Sequence, residues 1–202
     1  GQQTNRGVRR IACITALGIA LTFALPHAAH AQVPTPPPVP DNLRVLPPDQ
    51  VFLVGRGVGT QNYECQPSPT IGQVAWTLLT PQATLFNDQN EQLITHFFSP
   101  NPEEVGSPVR VTWEDSRNTS TVWAKLLASA SVTPGAIAWL KLQVVGTRVG
   151  PTGGDTFSGT TFIQRLNTVG GLAPSTGCDL PTDIGNKAFI PYSADYFFYR
   201  TQ

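Results

Sequence analysis

Beyond Asp49 the chain is written in short apolar stretches separated by turn residues at intervals of roughly ten, a spacing typical of antiparallel β-domains. Several of these stretches alternate apolar and polar positions. Alternation of period two puts successive side chains on opposite faces of an extended strand, so the pattern predicts strands with one buried face. The predicted strands cover residues 51–54, 73–79, 83–86, 93–98, 109–113, 160–166 and 192–199. Residues 83–86 and 93–98, joined through Asn87-Asp88-Gln89-Asn90, form a predicted hairpin. After Pro134, the residues Ala136, Ala138, Leu140, Leu142 and Val144 share one face, which leaves Trp139 on the other.

One segment is ambiguous by periodicity alone. Between Ser120 and Ser131, Val122, Trp123, Leu126, Leu127 and Ala130 would make a helical stripe, whereas Val122, Ala124, Leu126, Ala128 and Ala130 would make a strand face. Both neighbouring segments alternate, which favours a strand, with a short helix as the alternative. The fold class expected is all-β, an antiparallel β-sandwich or a barrel-like single domain occupying residues 49–202.

The N-terminal part reads differently. Arg6, Arg9 and Arg10 precede an apolar run over 11–25, and Ala29-His30-Ala31 supplies small residues at a cleavage site, so residues 1–31 read as a secretory signal peptide. Residues 32–48 carry prolines at 34, 36, 37, 38, 40, 47 and 48 and are expected to be an extended Pro-rich linker or tether. Localisation follows: the mature chain is expected to be secreted or periplasmic, without a membrane span.

Export changes the charge and the cysteine count. The thirteen Lys and Arg lose Arg6, Arg9 and Arg10, so ten remain against thirteen Asp and Glu with no run of either sign. A basic footprint for nucleic acid or anionic lipid is missing. Cys13 leaves with the leader, and Cys65 and Cys178 remain in an oxidising compartment, where one disulfide is the natural inference and two free thiols the alternative. Two sulfurs so far apart do not make a zinc module, and no cofactor is expected.

Several motifs taken together resemble a known family. They are Gly59-Thr60-Gln61-Asn62-Tyr63-Glu64-Cys65, the set Pro81, Ala83, Leu85, Phe86 and Asn87, then His96-Phe97 and Ala136-Ile137-Ala138-Trp139-Leu140. The C-terminal half adds Ile163-Gln164-Arg165-Leu166-Asn167-Thr168, Gly170-Gly171, Gly177-Cys178-Asp179 and the run from Pro191 to Tyr199. The chain after Val51 resembles the exported bacterial and fungal family called domain of unknown function 3455. The resemblance implies a secreted β-rich domain with two cysteines placed as here, and no established activity. The chain departs from the family where a Trp is usually followed by an Asp-Gly turn, since Trp113 is followed by Glu114-Asp115-Ser116-Arg117-Asn118.

Some members of that family carry a malate dehydrogenase label, which the residues do not support. Gly55-Arg56-Gly57-Val58-Gly59 lacks the third-glycine spacing of a dinucleotide fingerprint and runs into Pro67 and Pro69 instead of a helix.

Candidate chemistry narrows to a few side chains. His96 is the only histidine left after processing, and no Gly-x-Ser-x-Gly elbow accompanies it. Its plainer reading is a packed side chain bonded to a neighbour inside the hairpin, the sharper one a ligand contact. Most of the four tryptophans read as core; Trp113 borders a polar loop and Trp139 lies opposite the alternating apolar face, so these two are the better candidates for exposure and for stacking on a sugar ring. Glu103, Glu104, Glu114, Asp115, Asp155, Asp179, Asp183 and Asp195 could supply a carboxylate pair for glycoside hydrolysis if two of them converged. Asn118-Thr119-Ser120 matches a glycosylation sequon, of consequence only in a eukaryotic secretory host. The function expected is therefore a non-enzymatic binding or structural protein, partnered by a cell-envelope polysaccharide or surface protein, with a carboxylate-dependent polysaccharide hydrolase as the alternative. Oligomeric state is left open by the sequence.

Overall fold

Strand β1 (Asp49–Pro67) is far longer than its first four apolar residues foretell, because Gly55-Arg56-Gly57-Val58-Gly59 continues it instead of breaking it. Gly57 faces inward, and a Cβ placed there would lie 2.7 Å from the Tyr196 ring. The glycine is thus a space-saving position that lets an aromatic side chain cross the interior.

The remaining strands of this computed structural model follow as β2 (Val74–Phe86), β3 (Gln92–Pro100), β4 (Val109–Asp115), β5 (Thr121–Ala130), β6 (Trp139–Arg148), β7 (Thr160–Gly170) and β8 (Lys187–Thr201). The structure describes residues 1–2 and 35–202, so the expected leader and its cleavage site lie outside the described residues. Every strand pairs antiparallel with its sequence neighbour, and β1 pairs with β8 from Asp49↔Thr201 to Glu64↔Lys187, closing an eight-stranded barrel. Closure gives every strand two partners and removes the open edge at which such domains aggregate. The expected 73–79 and 83–86 strands are one strand, kinked where the β1 register skips Leu79. The ambiguous 120–131 segment is the strand β5. No helix among the described residues is long and apolar enough to cross a membrane, and the two helical pieces are single 3-10 turns, Asp41–Leu43 and Pro181–Asp183.

The inward face carries the core: Leu85, Ile94, Trp113, Val122, Leu142, Ile163, Tyr196 and Phe198 are all buried. One end is shut by the 149–159 connection, whose Phe157 is fully buried and packs 5.4 Å from the Phe198 ring. The 116–120 turn closes beside it. Asp115 Oδ1 accepts the N–H groups of Arg117 (2.8 Å) and Asn118 (3.2 Å), and Oδ2 accepts the Thr156 hydroxyl at 2.9 Å. Those bonds replace what a glycine would provide in a tighter turn, and they account for Glu114-Asp115-Ser116-Arg117-Asn118 in this chain. The sequon Asn118 is tied into the same turn, donating to Thr156 Oγ1 at 2.9 Å.

Outside the barrel lies a second cluster, Leu43, Trp139, Leu166, Phe197 and Tyr199, with Val39 and Val45 packed against it. The described part of the Pro-rich segment is therefore docked on the barrel through Val39, Leu43 and Val45. Gln164 Nε2 donates to Leu43 O at 2.6 Å, Asn42 Nδ2 to Ser129 O at 3.0 Å, and Lys141 Nζ to Arg44 O at 2.7 Å. Proline-rich chain has few N–H groups of its own, so Gln164 and Lys141 of the barrel donate to its carbonyls while its Asn42 side chain donates back to the barrel.

Candidate binding groove and the chamber behind it

The other end of the barrel is built from the 68–73, 101–108, 131–138 and 171–186 connections. Cys65 and Cys178 form a disulfide with a Cα–Cα distance of 5.4 Å, pinning the longest of these loops to the end of β1. Trp76 Nε1 reinforces the clasp by donating to Thr176 O at 3.2 Å. Gly170 (φ 65°) and Gly171 (φ 83°) make the turn into this loop, a backbone region other residues rarely adopt.

On this side the wall is incomplete. The β2–β3 ladder has only four pairs, from Ala83↔His96 to Phe86↔Gln92. Past it comes Pro81, which has no N–H to give, and the Phe98 N–H bonds instead to the Thr80 hydroxyl at 2.9 Å. The strands diverge, and a groove of about 950 Å3 opens between them. Four hydroxyls, of Thr60, Thr80, Thr84 and Thr95, line it together with the Gln82 amide, the rings of Phe97 and Phe98, and the exposed aliphatics Val58, Leu79 and Val109. Among the described residues no charged side chain does.

His96 forms part of the inner wall of this groove while being only 3% exposed. Its ring stacks on Trp113 at 4.5 Å with planes 13° apart, and Nδ1 donates to Thr112 O at 2.8 Å. With Thr112 O as an obligate acceptor, the neutral ring keeps its proton on Nδ1 and its lone pair on Nε2. Burial drives the pKa down to about 3, against the Thr112 bond and with help from the Arg165 charge. The imidazole is a neutral packing element with one free acceptor.

Deeper in, Tyr63 donates to Gly171 O at 2.7 Å, and the hydroxyls of Tyr192 and Tyr196 lie 3.0 Å apart. Burial raises the pKa of all three phenols, so they remain protonated. Arg165 of β7 pairs in register with Tyr196, and its charge acts on all three phenols, lowering their pKa against the effect of burial. Sequence reasoning passed over it, because a single arginine in an alternating strand looks like any solvent-facing position. The informative signal would have been its place on the face shared with Ile163.

The two tryptophans singled out as candidates for exposure are both buried. Trp113 is 1% exposed, since β4 turns it inward between His96 and Val122. Trp139 does lie on the outer face, opposite Leu140, but the 39–45 segment covers that face and leaves it 7% exposed. Neither offers a free ring to a ligand, and of the three candidate residues only His96 borders the groove.

Most of the acidic candidates are taken up in separate contacts. Glu103 pairs with Arg148 at 2.9 Å and Glu104 with Arg110 at 2.7 Å, where hydrogen bonds from Arg110 and Asn101 pull its pKa to about 2. Asp183 accepts the N–H groups of Leu180 and Asp179, and Asp195 accepts Asn167 Nδ2 at 2.8 Å. Glu114 and Asp115 are adjacent on β4 and point to opposite faces.

No curated protein and no solved structure matches this chain. A family model does, that described as Protein of unknown function (DUF3455), over residues 47–200. That span runs from the cis Pro47-Pro48 bond to the last rungs of the β1–β8 seam and takes in the disulfide, the groove and the buried tyrosines behind it. By its sequence over the whole barrel, the chain belongs to the DUF3455 family.

Proposed function

We propose that this is an exported binding module that holds a cell-envelope polysaccharide in the groove between β2 and β3. The observation that carries the reading is the groove's lining of four threonine hydroxyls, one amide and two phenyl rings without a charged side chain. Sugars present hydroxyls around their edges and apolar C–H groups on their faces. A wall that offers both donors and aromatic planes, with few exposed charges, fits that chemistry. The disulfide and the sequence of residues 1–31 support export.

A glycoside hydrolase would need two carboxylates facing each other across the bound chain. Among the described residues no carboxylate lines the groove, and most of the candidates are bonded elsewhere, so the hydrolase reading has less behind it.

The test is retention on insoluble envelope polysaccharides, comparing the wild type with Phe97→Ala and with Gln82→Ala. Phe97→Ala is expected to weaken retention by about tenfold, in line with the loss of one stacked ring. Retention unaffected by both changes would remove the groove from consideration.

A further inference from the structure

The groove does not end at Phe97. That ring also borders a second hollow of about 590 Å3 on the outer wall, lined further by Ser99, Thr112, Glu114, Thr121, Trp123 and Arg148. Strand register brings the two hollows into line. Val58 pairs with Thr84, Thr84 with Thr95, Thr95 with Glu114, Glu114 with Thr121 and Thr121 with Arg148, which is one unbroken row from β1 to β6. The first three of these side chains line the groove, and the last three line the second hollow. Phe97, Thr112 and Trp123 make a shorter row beside it. At a strand spacing of about 4.8 Å, the steps from Val58 to Arg148 cover about 24 Å of the barrel wall.

Most of the second hollow is already held in place. Trp123 Nε1 donates to Ser99 Oγ at 3.0 Å, Ser99 Oγ lies 2.8 Å from Thr112 Oγ1, and the Thr112 hydroxyl donates to Arg110 O at 3.0 Å. Arg148 closes the far end, tied to Glu103 at 2.9 Å with its guanidinium carbon 5.7 Å from the centre of the Trp123 ring. Walls fixed before binding lose little freedom when a ligand arrives. Glu114 stands apart, since it takes part in none of the ion pairs among the described residues. A carboxylate without a cation is a strong acceptor for hydroxyl donors. With Arg148 matched by Glu103, Glu114 also leaves the hollow with a surplus of negative charge, which disfavours an acidic ligand.

We propose that the groove and the second hollow are one cleft, which takes a long neutral polysaccharide chain laid across the strands, with Glu114 accepting hydroxyls from the sugars in its far half. The proposal rests on the groove reading above and extends it from a short site to a chain-length one. It brings a single carboxylate to the sugars, whereas glycoside hydrolysis needs a pair.

The experiment is calorimetric titration of the full chain with the disaccharides and hexasaccharides of glucose, N-acetylglucosamine and mannose, and with a galacturonate hexasaccharide. Wild type, Gln82→Ala, Glu114→Ala and Glu114→Gln are compared. In a neutral series that binds, the hexasaccharide is expected to bind about tenfold or more tightly than the disaccharide, because only the longer chain reaches the second hollow. Gln82→Ala should weaken both lengths. Glu114→Ala should remove about tenfold from the hexasaccharide and nothing from the disaccharide, and Glu114→Gln, which keeps the shape but not the charge, should remove less. Equal affinities for the two lengths, or a length gain untouched by both Glu114 variants, would overturn the joined cleft, and the groove reading would survive if Gln82→Ala still weakened binding. A length gain that needs Glu114 but ignores Gln82 would overturn the link to the groove. Galacturonate bound as tightly as the neutral hexasaccharides would overturn the neutral assignment, and no binding in any series would remove the cleft and the groove reading together. Should Glu114→Ala fail to fold, the nearly isosteric Glu114→Gln decides by the same comparison of lengths.

Discussion

The two ends of this barrel are made from the same eight strands and differ in how they are finished. At the closed end, Phe157 and Phe198 fill the interior, and the buried Asp115 has each of its oxygens matched by a donor. At the other end the ladder between β2 and β3 gives out, and Arg165 rests on the Ala138 carbonyl with no carboxylate paired to it among the described residues. Stability is concentrated where every group is matched, and the capacity to bind something else lies where groups are not.

The largest effect expected from breaking this contrast is at the open end. Replacing both Cys65 and Cys178 by alanine releases the 171–186 loop from β1 and should cost about 4 kcal/mol in urea denaturation, since the bond closes a loop spanning 113 residues. Phe157→Ala at the closed end should cost about 3–4 kcal/mol, measured the same way, while leaving polysaccharide retention unchanged. Loss of retention from that substitution in a folded variant would mean that the two ends are coupled.

Acid separates the ends by the pH window of two titrations, both of which remove stability as the pH falls. His96 is held neutral, with a pKa of about 3 in the folded protein against 6.5 for the free side chain. Above 6.5 it is neutral in both states and contributes no pH dependence. Below 6.5 the unfolded chain takes up the proton first, so stability falls by up to about 1.4 kcal/mol per pH unit until the folded imidazole also protonates. Urea midpoints of wild type and His96→Phe, followed from neutral pH down to about pH 4.5, should diverge by that slope, and parallel curves would refute it. Asp115 acts at lower pH. Desolvation pushes its pKa up, but the Arg117 N–H, the Thr156 hydroxyl and the Arg117 side chain outweigh this, and the net direction is down. Its contribution is therefore present above the ordinary carboxylate range and is lost as the pH falls through the lowered value. Asp115→Asn should cost about 1–2 kcal/mol near neutrality, the smallest of these effects, and little or nothing at the acid limit.

Much of the fold was legible in the chain. Strand positions, the hairpin at Asn87-Asp88-Gln89-Asn90 and the pairing of Cys65 with Cys178 follow from local alternation, turn chemistry and cysteine count, which act over a few residues or by elimination. Whether the strands formed a sandwich or a barrel did not follow, because that depends on β1 meeting β8 across more than a hundred residues of intervening chain. The same limit explains the two buried tryptophans. Period two correctly put Trp139 opposite Leu140, but only the packing of Leu43 and its neighbours decides whether that face meets water. Gly55-Arg56-Gly57-Val58-Gly59 likewise reads locally as a break, and becomes strand because Tyr196 needs the space that Gly57 leaves empty. The sequence by itself determined which residues alternate, turn and cross-link. Tertiary structure alone decided which faces are covered and which are left open, since burial belongs to the pair of surfaces that meet and not to either one.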